Sequence, residues 1–343
     1  MVFKKSKKSP ETEALKEELA QEIESVDVET DVEAVMRKYD RESNTRVWEG
    51  APKAVISAIM ALFSIYCIGM TLFSTELPET KLARFLACVI IIGYLIYPAR
   101  KNGRVRVNYM PWYDVVIMLA GAGSFLYFAF NAYDILMLTS RIEPLHIVLG
   151  IIGILVVADL CRRSVGVPIL VVVGCLLIYA LVWRYDQCHD LYLTIRLIIF
   201  KLFYTTSGVI GTPINVCYTY IVLFIIFGAF LERTGIAAFF ISFANRVAGW
   251  SSGGAAKVAV ISSALCGMVS GSSVGNTVTT GSVTIPMMKK TGYKPEFAGA
   301  VEAASSTGGQ IMPPIMGAAA FLMAEYMGIP YIDVAAKAIL PAV

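Results

Sequence analysis

Uncharged oxygen-bearing side chains are concentrated in one stretch of the chain, SGSSVGNTVTTGSVTIP at residues 270–286. Apolar segments flank this stretch on both sides, and a second polar interruption, SSTGGQIMPP at 305–314, divides the next apolar segment. Hydroxyl and amide oxygens, together with carbonyls freed where a helix unwinds, are ligands for a hard monovalent cation, whereas half-helix N-termini favour anions. The two interruptions therefore predict a joint cation and substrate site of the kind that secondary transporters use.

Helix packing is the alternative explanation for these polar residues. Small residues and hydroxyls also pack helices together in membranes, so a single serine here is equally consistent with packing. Glu302 lies just ahead of the second interruption, and an intramembrane carboxylate is a functional candidate. Because Glu302 is about two turns from the predicted cytoplasmic side, we expect a structural salt bridge or a side chain that reaches the interface.

Other kinds of chemistry have little support in the sequence. The chain has two histidines, His146 and His189, both predicted near the outer membrane interface, which disfavours histidine-based metal or triad chemistry. Its seven cysteines form no CxxC pair, and most lie in apolar runs, so we expect neither a metal site nor a disulfide framework. No basic aromatic patch indicates a nucleic-acid partner, and no cofactor is expected.

Composition places the chain in a lipid bilayer. It has 343 residues, of which 57% are hydrophobic and 16% charged, with a mean hydropathy of +0.66. A spanning helix needs roughly 20 mostly apolar residues, and the sequence is predicted to form an all-α polytopic membrane protein. The predicted spans are about 54–74, 82–98, 113–131, 145–161, 166–183 and 214–231.

Loop charges predict the topology. PARKNGRVRV at 98–107 and DLCRRS at 159–164 are basic, which places both on the cytoplasmic side. Four spans then have both ends inside, and a fifth leads outward to a loop at 184–190. Residues 1–50 are highly charged and contain no apolar core, so they predict a cytoplasmic tail rather than a signal peptide. Arg196 and Lys201 interrupt an apolar, aromatic segment at 191–204, which favours a helix lying at the membrane interface.

The last third of the chain departs from simple spans. Basic residues at Lys257 and at Lys289, Lys290 and Lys294 place both ends of one segment on the cytoplasmic side. This pattern predicts a re-entrant hairpin with its tip near Ser270–Thr277, where irregular backbone must be buried in protein or line a wet cavity. Two glycines and two prolines in 305–314 predict that the next helix splits into about 295–304 and 315–327.

The segment ALCGMVSGSSVGNTVTTGSVTIPMMKKTGYKPEFAGAVEAASSTGGQIMPPIMGAAAFLMAE resembles the large membrane subunit of tripartite ATP-independent periplasmic (TRAP) transporters. The resemblance extends over about 213–330 and includes FGAFLERTGIAAFFISFANRVAG. Within the family, the sequence is closely similar to the fused permeases of the TAXI type. The four spans before it are similar in layout to the small membrane subunit of that family. The charge pattern and the resemblance together predict a cytoplasmic tail at 1–50, a small-subunit-like domain at 51–163, a connecting helix at 164–190, an interfacial arm at 191–212, and the first half of an elevator-type transport domain at 213–343. The family's inverted second half is expected to lie outside these residues.

The resemblance also implies a function. Family members of this kind are Na⁺-driven symporters of the bacterial inner membrane that import an organic anion delivered by a periplasmic solute-binding protein. Carried over residue by residue, it implies an ion and substrate site at Ser270, Ser272, Ser273, Asn276, Thr277, Ser306, Thr307, Gly308 and Gly309. Within this set, the Na⁺ ligand candidates are Ser273, Asn276, Thr307 and Gly309.

Other functions remain open at the level of sequence. A Na⁺-coupled dicarboxylate carrier that needs no binding protein would use a similar hairpin. The four spans at about 54–161, called the four-helix front below, argue against this alternative. A membrane-embedded serine hydrolase is suggested by VSGSSVG, although no histidine lies near that motif to act as a base. An ion channel is disfavoured because no symmetric filter motif is present.

The predicted topology places Cys188 on the periplasmic side, while 1–50 and the loop at 100–106 are cytoplasmic. In a variant that lacks the other cysteines, a membrane-impermeant thiol reagent should therefore label Cys188 in intact spheroplasts. If labelling required lysis, the predicted topology would be the wrong way round, and so would the predicted orientation of the hairpin.

Overall fold

A computed structural model describes residues 45–99, 107–138 and 142–342. The described residues are largely helical and contain no strand, which confirms the all-α prediction. Residues 1–44 of the predicted tail at 1–50 and the basic loop at 100–106 lie outside the described residues. The α-helices are α1 (Ala51–Phe73), α2 (Pro78–Ile96), α3 (Trp112–Phe130), α4 (Ala132–Met137), α5 (Pro144–Ser164), α6 (Val167–Cys188), α7 (Leu191–Phe203), α8 (Thr212–Val216), α9 (Val222–Arg233), α10 (Ile236–Ala248), α11 (Gly254–Ser270), α12 (Ser273–Lys290), α13 (Pro295–Gly308), α14 (Ala318–Met327) and α15 (Tyr331–Ala342).

Five helical segments in the described residues are long and apolar enough to cross a membrane: α1, α3, α5, α6 and the continuous segment Thr212–Leu231. That segment joins α8 to α9 through a π-helical turn at Cys217–Ile221. The remaining predicted span, about 82–98, forms the 19-residue helix α2, whose first two turns carry Glu79, Lys81 and Arg84. These charges keep α2 outside the set of five.

Proline starts many of these helices. It occupies the first or second position of α1, α2, α5, α6 and α13. Proline is suited to this position because its fixed φ is helical and its missing N–H would have had no partner there. The helix starts are therefore encoded locally, without reference to tertiary packing.

The four-helix front has an aliphatic and aromatic core formed chiefly by α2, α3 and α5. Phe85, Ile90, Phe125 and Phe128 are fully buried in it. Gly121 on α3 lies directly against α5, where an added Cβ would be 2.4 Å from a Val156 methyl group. Close helix approach through small residues is the usual packing mode in lipid.

Buried ion pairs close one end of this front. Asp114 at the start of α3 is fully buried, accepts a hydrogen bond from Arg163 Nη2 at 2.8 Å, and pairs with Arg46. Arg163 also donates through Nε to Asp159 at 2.7 Å, and Tyr94 donates its hydroxyl to the same carboxylate. Arg163 was predicted as a loop charge, but it lies within α5 and is buried, because two carboxylates and the Tyr94 ring surround it.

The predicted arm helix at 191–204 is present as α7, and it packs on the front. Asp190 caps α7 by accepting from the N–H groups of Tyr192 and Leu193. The Phe203 ring, at the C-terminal end of α7, lies against Gly153 of α5. By contrast, no residue of α6 is buried. The arm and the front therefore share one core, which includes Phe203 and Tyr204.

The hairpin is present as the helices α11 and α12. The two helices are antiparallel, since Ser263 pairs with Asn276 and Ala259 packs with Met288. The predicted tip was too long. Only Gly271 and Ser272 separate the two helices, while Ser273, Asn276 and Thr277 belong to the first turns of α12. Gly271 adopts a left-handed φ of 61°, a conformation that favours glycine.

The predicted helix break is also present, but it begins four residues later than expected. Helix α13 continues through Gly308, and irregular backbone extends from Gly309 to Gly317 before α14 begins. Ser305, Ser306, Thr307 and Gly308 are therefore helical. Hydroxyls that bond back along the helix, such as Ser305 Oγ to the Val301 carbonyl at 2.6 Å, are compatible with this continuation.

The contact of α7 with α5 generates a stability prediction. In Gly153→Ala the new Cβ would be 2.1 Å from the Phe203 ring, so the ring or helix must move. Overpacking of this kind costs about 1–3 kcal/mol, and we expect a lower thermal unfolding temperature of the purified protein. Gly174→Ala is the matched control, because nothing lies within 4 Å of a Cβ at Gly174 on α6. Equal unfolding temperatures for the two variants would show that α7 does not depend on this contact.

Candidate functional site

Three polar side chains form a stripe along the buried face of α12. Asn276, Thr280 and Thr284 recur at intervals of four residues and are all buried. Residues four apart lie on the same face of a helix, so the sequence alone places them in line. Thr280 and Thr284 in this stripe face α13, the helix that ends in the break, while Asn276 contacts α11.

Glu302 on α13 lies against this stripe and is fully buried. Its Oε1 accepts from Thr280 Oγ1 and from Ser306 Oγ, the latter at 3.1 Å, and its Oε2 accepts from Thr284 Oγ1. All three partners are hydroxyls, so the expected salt bridge or interface-reaching side chain is not the arrangement found among the described residues. Gly281 makes room for the carboxylate, since an added Cβ would be 3.0 Å from Glu302 Cγ.

The polar contacts continue from Glu302 to Asn276 through two buried serines. Ser306 Oγ lies 3.1 Å from Ser263 Oγ on α11. Asn276 donates both amide hydrogens to Ser263, at 2.9 Å to its Oγ and 2.8 Å to its carbonyl. Asn276 Oδ1 is buried and has no hydrogen-bond partner among the described residues. A buried acceptor left in this state has lost its hydration without compensation, and it is suited to receive a cation.

Backbone comes close to this amide on both sides. Gly267 on α11 and Gly309 at the start of the break are in direct contact, because a Cβ on Gly267 would be 2.4 Å from Gly309 Cα. A Cβ on either glycine would also lie within 3.5 Å of Asn276 Nδ2. The hairpin and the broken helix therefore meet at Asn276.

The irregular segment 309–317 is held against the hairpin by hydrogen bonds. Ile315 N donates to the Met268 carbonyl at 3.2 Å, and Gln310 Nε2 donates to Ser273 Oγ at 3.0 Å. Gly317 N donates to the Gln310 carbonyl at 2.7 Å, which closes the segment on itself. These bonds satisfy backbone groups that a continuous helix would have paired internally.

Two cavities adjoin the hairpin tip. One, of about 220 Å³, is lined by Ser270, Ser272 and Asn276 together with residues of α9 and α10. The other, of about 740 Å³, lies between Gly271, Gln310 and the helices α14 and α15, and Lys337 is on its wall. Both cavities are mainly apolar with a few polar groups at the tip, as is usual for small-molecule sites.

The nine sequence-derived candidates occupy different positions. Asn276, Ser306 and Gly309 are buried in the cluster just described, and Ser273 is linked to the break through Gln310. Ser270 and Ser272 are exposed at the tip, and Ser272 caps α12 by accepting from Gly275 N. The hydroxyls of Thr277 and Thr307 bond back to the carbonyls of Ser273 and Ala303 on their own helices, Thr307 is exposed, and Gly308 ends α13.

The sequence-derived set omitted Ser263, Thr280, Thr284 and Gln310, and it did not assign Glu302 to the site. The interval of four among 276, 280 and 284, and the same interval between 302 and 306, could have indicated two facing polar stripes. Ser263 had no such signal, because its role depends on which residue of α12 it faces.

Comparison with known proteins adds to this geometry. A family described as "Tripartite ATP-independent periplasmic transporter, DctM component" matches residues 152–343. The chain is 30% identical over 163 residues to a Vibrio cholerae protein named C4-dicarboxylate TRAP transporter large permease protein DctM, covering 48% of this chain and 33% of that protein. Proteins of the same name match from Rhodobacter capsulatus, 38% identical over 26% of this chain and 21% of that protein, and from Pseudomonas aeruginosa, 32% identical over 35% and 27%.

The matched segments thus span about a third or less of these relatives' lengths. Residues before 152, which include most of the four-helix front, lie outside the family match. No solved structure matches the chain.

The meeting point of hairpin and broken helix generates a prediction. Gly267→Ala would force the backbone of α11 away from Gly309, and we expect a thermal unfolding temperature several degrees below that of the unchanged protein. Gly299→Ala on α13 is the control, because a Cβ there meets nothing within 4 Å. If Gly267→Ala were as stable as Gly299→Ala, the close approach of the two elements would be dispensable.

Proposed function

The chain belongs to the DctM component family of tripartite ATP-independent periplasmic transporters, and we propose that it forms part of a Na⁺-coupled permease that imports an organic anion. Because this family consists of transport proteins rather than enzymes, the serine-hydrolase interpretation is excluded. The observation that carries the proposal is the buried, unpartnered Asn276 Oδ1 at the point where two interrupted membrane segments meet.

Na⁺ is the cation proposed for this point. It is a hard ion that prefers oxygen ligands, and the groups that meet at the Asn276 side chain are neutral: the amide itself and Gly267 and Gly309, whose added Cβ atoms would lie within 3.5 Å of the amide nitrogen. Ser273 and Thr307 complete the candidate ligand set that the sequence supplied, although the Thr307 hydroxyl would have to release the Ala303 carbonyl to take part.

An organic carboxylate is the proposed substrate class. The relatives carry C4-dicarboxylate in their names, and the tip of the hairpin presents the N-terminus of α12 beside exposed Ser270 and Ser272. Helix N-termini and hydroxyls favour anionic groups. The larger cavity, with Lys337 on its wall, has enough room for a small carboxylate.

The division between a fixed front and a moving hairpin is part of the proposal. The front is held by a continuous core shared with α7 and by buried ion pairs around Asp114. It would remain fixed in a bacterial inner membrane with its N-terminus cytoplasmic, acting as a small-subunit-like domain fused to the transport domain in the TAXI manner. The hairpin and broken helix would move against it in an elevator-type cycle.

A periplasmic solute-binding protein is proposed to deliver the substrate. A carrier that is independent of such a protein is the alternative, and reconstitution separates the two. Uptake of a labelled carboxylate into proteoliposomes should require both an inward Na⁺ gradient and the cognate binding protein. Na⁺-dependent uptake without the binding protein would favour the alternative, and uptake indifferent to Na⁺ would contradict the proposed coupling.

The ligand role of Asn276 generates a specific prediction for the full-length protein. Asn276→Ala removes the free acceptor, so the Na⁺ concentration for half-maximal uptake should rise about tenfold or uptake should cease, with membrane insertion unchanged. Asn245→Ala is the matched control, because Asn245 is an exposed asparagine on neighbouring α10. Normal Na⁺ dependence in Asn276→Ala would reduce this residue to helix packing.

A further inference from the structure

The buried hydroxyls between Glu302 and Asn276 can be assigned a single direction by counting hydrogens. A carboxylate only accepts hydrogen bonds, and each serine or threonine hydroxyl has one hydrogen to donate. Ser306 donates its hydrogen to Glu302 Oε1 at 3.1 Å. In the contact of 3.1 Å between Ser306 Oγ and Ser263 Oγ, the donor must therefore be Ser263.

The same count fixes the orientation of the Asn276 amide. Because the Ser263 hydrogen is used on Ser306, Ser263 Oγ must accept from Asn276 Nδ2 at 2.9 Å. The Ser263 carbonyl, which can only accept, takes the second amide hydrogen at 2.8 Å. Asn276 is thereby held with its nitrogen toward α11 and with Oδ1 free.

The hydrogen bonds that lead from Glu302 through Ser306 and Ser263 to Asn276 form a relay. Glu302 is itself fixed by contacts that lie outside this relay. Thr280 and Thr284 donate to its two oxygens from the adjacent turns of α12, and Gly281 between them leaves space for its side chain. The position of the carboxylate is therefore set by α12, and its effect is carried through Ser306 on α13 to Ser263 on α11. All four residues of the relay are buried.

We propose that Glu302 is a positioning residue that sets the Na⁺ affinity of the site through the relay Ser306–Ser263–Asn276. The inference rests on the proposed function, because it assigns Asn276 Oδ1 to Na⁺. Glu302 does not touch the ion. It acts as the terminal acceptor, which gives every hydroxyl in the relay one orientation and keeps the Asn276 oxygen toward the ion before the ion arrives.

A pair of substitutions separates this role from a role of the carboxylate charge. Glu302→Leu removes the acceptor. The hydroxyls of Thr280 and Thr284 can then donate to the carbonyls of Asn276 and Thr280 on their own helix, at 2.8 and 3.0 Å. The Ser306 hydrogen is then free to turn toward Ser263, which reverses the relay. Glu302→Gln keeps an acceptor: its amide oxygen can hold Ser306 and Thr280, while its NH₂ group donates to Thr284.

The experiment measures the half-saturating Na⁺ concentration of the full-length protein, with choline chloride keeping the ionic strength constant. We expect Glu302→Leu to raise it about three- to tenfold with the maximal uptake rate changed much less, and Glu302→Gln to restore a value within about twofold of the unchanged protein. Glu296→Leu, an exposed glutamate on the same helix, should leave it unchanged.

Thermal stabilisation of the purified protein by Na⁺ gives a second readout that needs no transport. Ser306→Ala interrupts the relay without altering Glu302, and it serves if Glu302→Leu does not fold; its Na⁺ midpoint should also rise about three- to tenfold. In the Asn276→Ala background, Glu302→Leu should produce no further shift, because the group that it positions is gone.

Three results would overturn the inference. Glu302→Leu or Ser306→Ala with an unchanged Na⁺ midpoint would show that the relay does not act on the ion. Glu302→Gln with the same defect as Glu302→Leu would assign the effect to charge rather than to hydrogen-bond direction. A protein whose uptake and stability are both indifferent to Na⁺ would remove the proposed coupling itself, whereas the first two results leave that coupling in place.

Discussion

Polar groups in the hydrocarbon region need partners within the protein, because no water is present to replace them. The hairpin and the broken helix meet this requirement jointly. Glu302 is satisfied by hydroxyls of α12, the NH₂ group of Asn276 by Ser263 of α11, and the backbone N–H of Ile315 by the Met268 carbonyl. At the membrane depth proposed for them, neither element would be tolerated alone, and this mutual dependence is the reason to regard α11, α12 and α13 as one unit.

The front and this unit solve the packing problem with different residues. In the front, large aromatic rings such as Phe125 and Phe203 fill the core, and buried ion pairs lie at one end around Asp114. In the hairpin unit, glycine and hydroxyl side chains allow helices to approach until backbone contacts backbone, as at Gly267 and Gly309. A core of interlocked rings resists rearrangement, whereas smooth, hydrogen-bonded surfaces can accommodate an ion, which agrees with the proposed division of labour.

Much of this architecture could be predicted from the sequence because its signals are local. Apolar length, loop charge and paired polar interruptions predicted the front, the hairpin and the break. The helix limits near the site were wrong by several residues because Thr277, Ser305 and Thr307 bond back to carbonyls on their own helices, so they remain helical. The partners of Glu302 and the role of Ser263 depend on the pairing register of three helices, which composition and spacing do not specify.

Unpartnered buried atoms occur elsewhere among the described residues, and their chemistry distinguishes them from Asn276. Arg46 Nε, Arg163 Nη1 and Arg196 Nε are donors on cationic groups, so they would repel a cation. The other three, Tyr66 Oη, Tyr218 Oη and His146 Nδ1, belong to side chains that pack against the aromatic core of the front. Asn276 Oδ1 is a neutral acceptor, it lies beside a break in the backbone, and its amide cannot turn without placing oxygen against the Ser263 carbonyl. Because Oδ1 is already desolvated in the folded protein, a cation that binds there need not displace water from it, and the new contact would offset the desolvation penalty of the oxygen. In the proposed mechanism, the directionality of the relay would thus be the physical link between a buried carboxylate and an ion bound at Asn276.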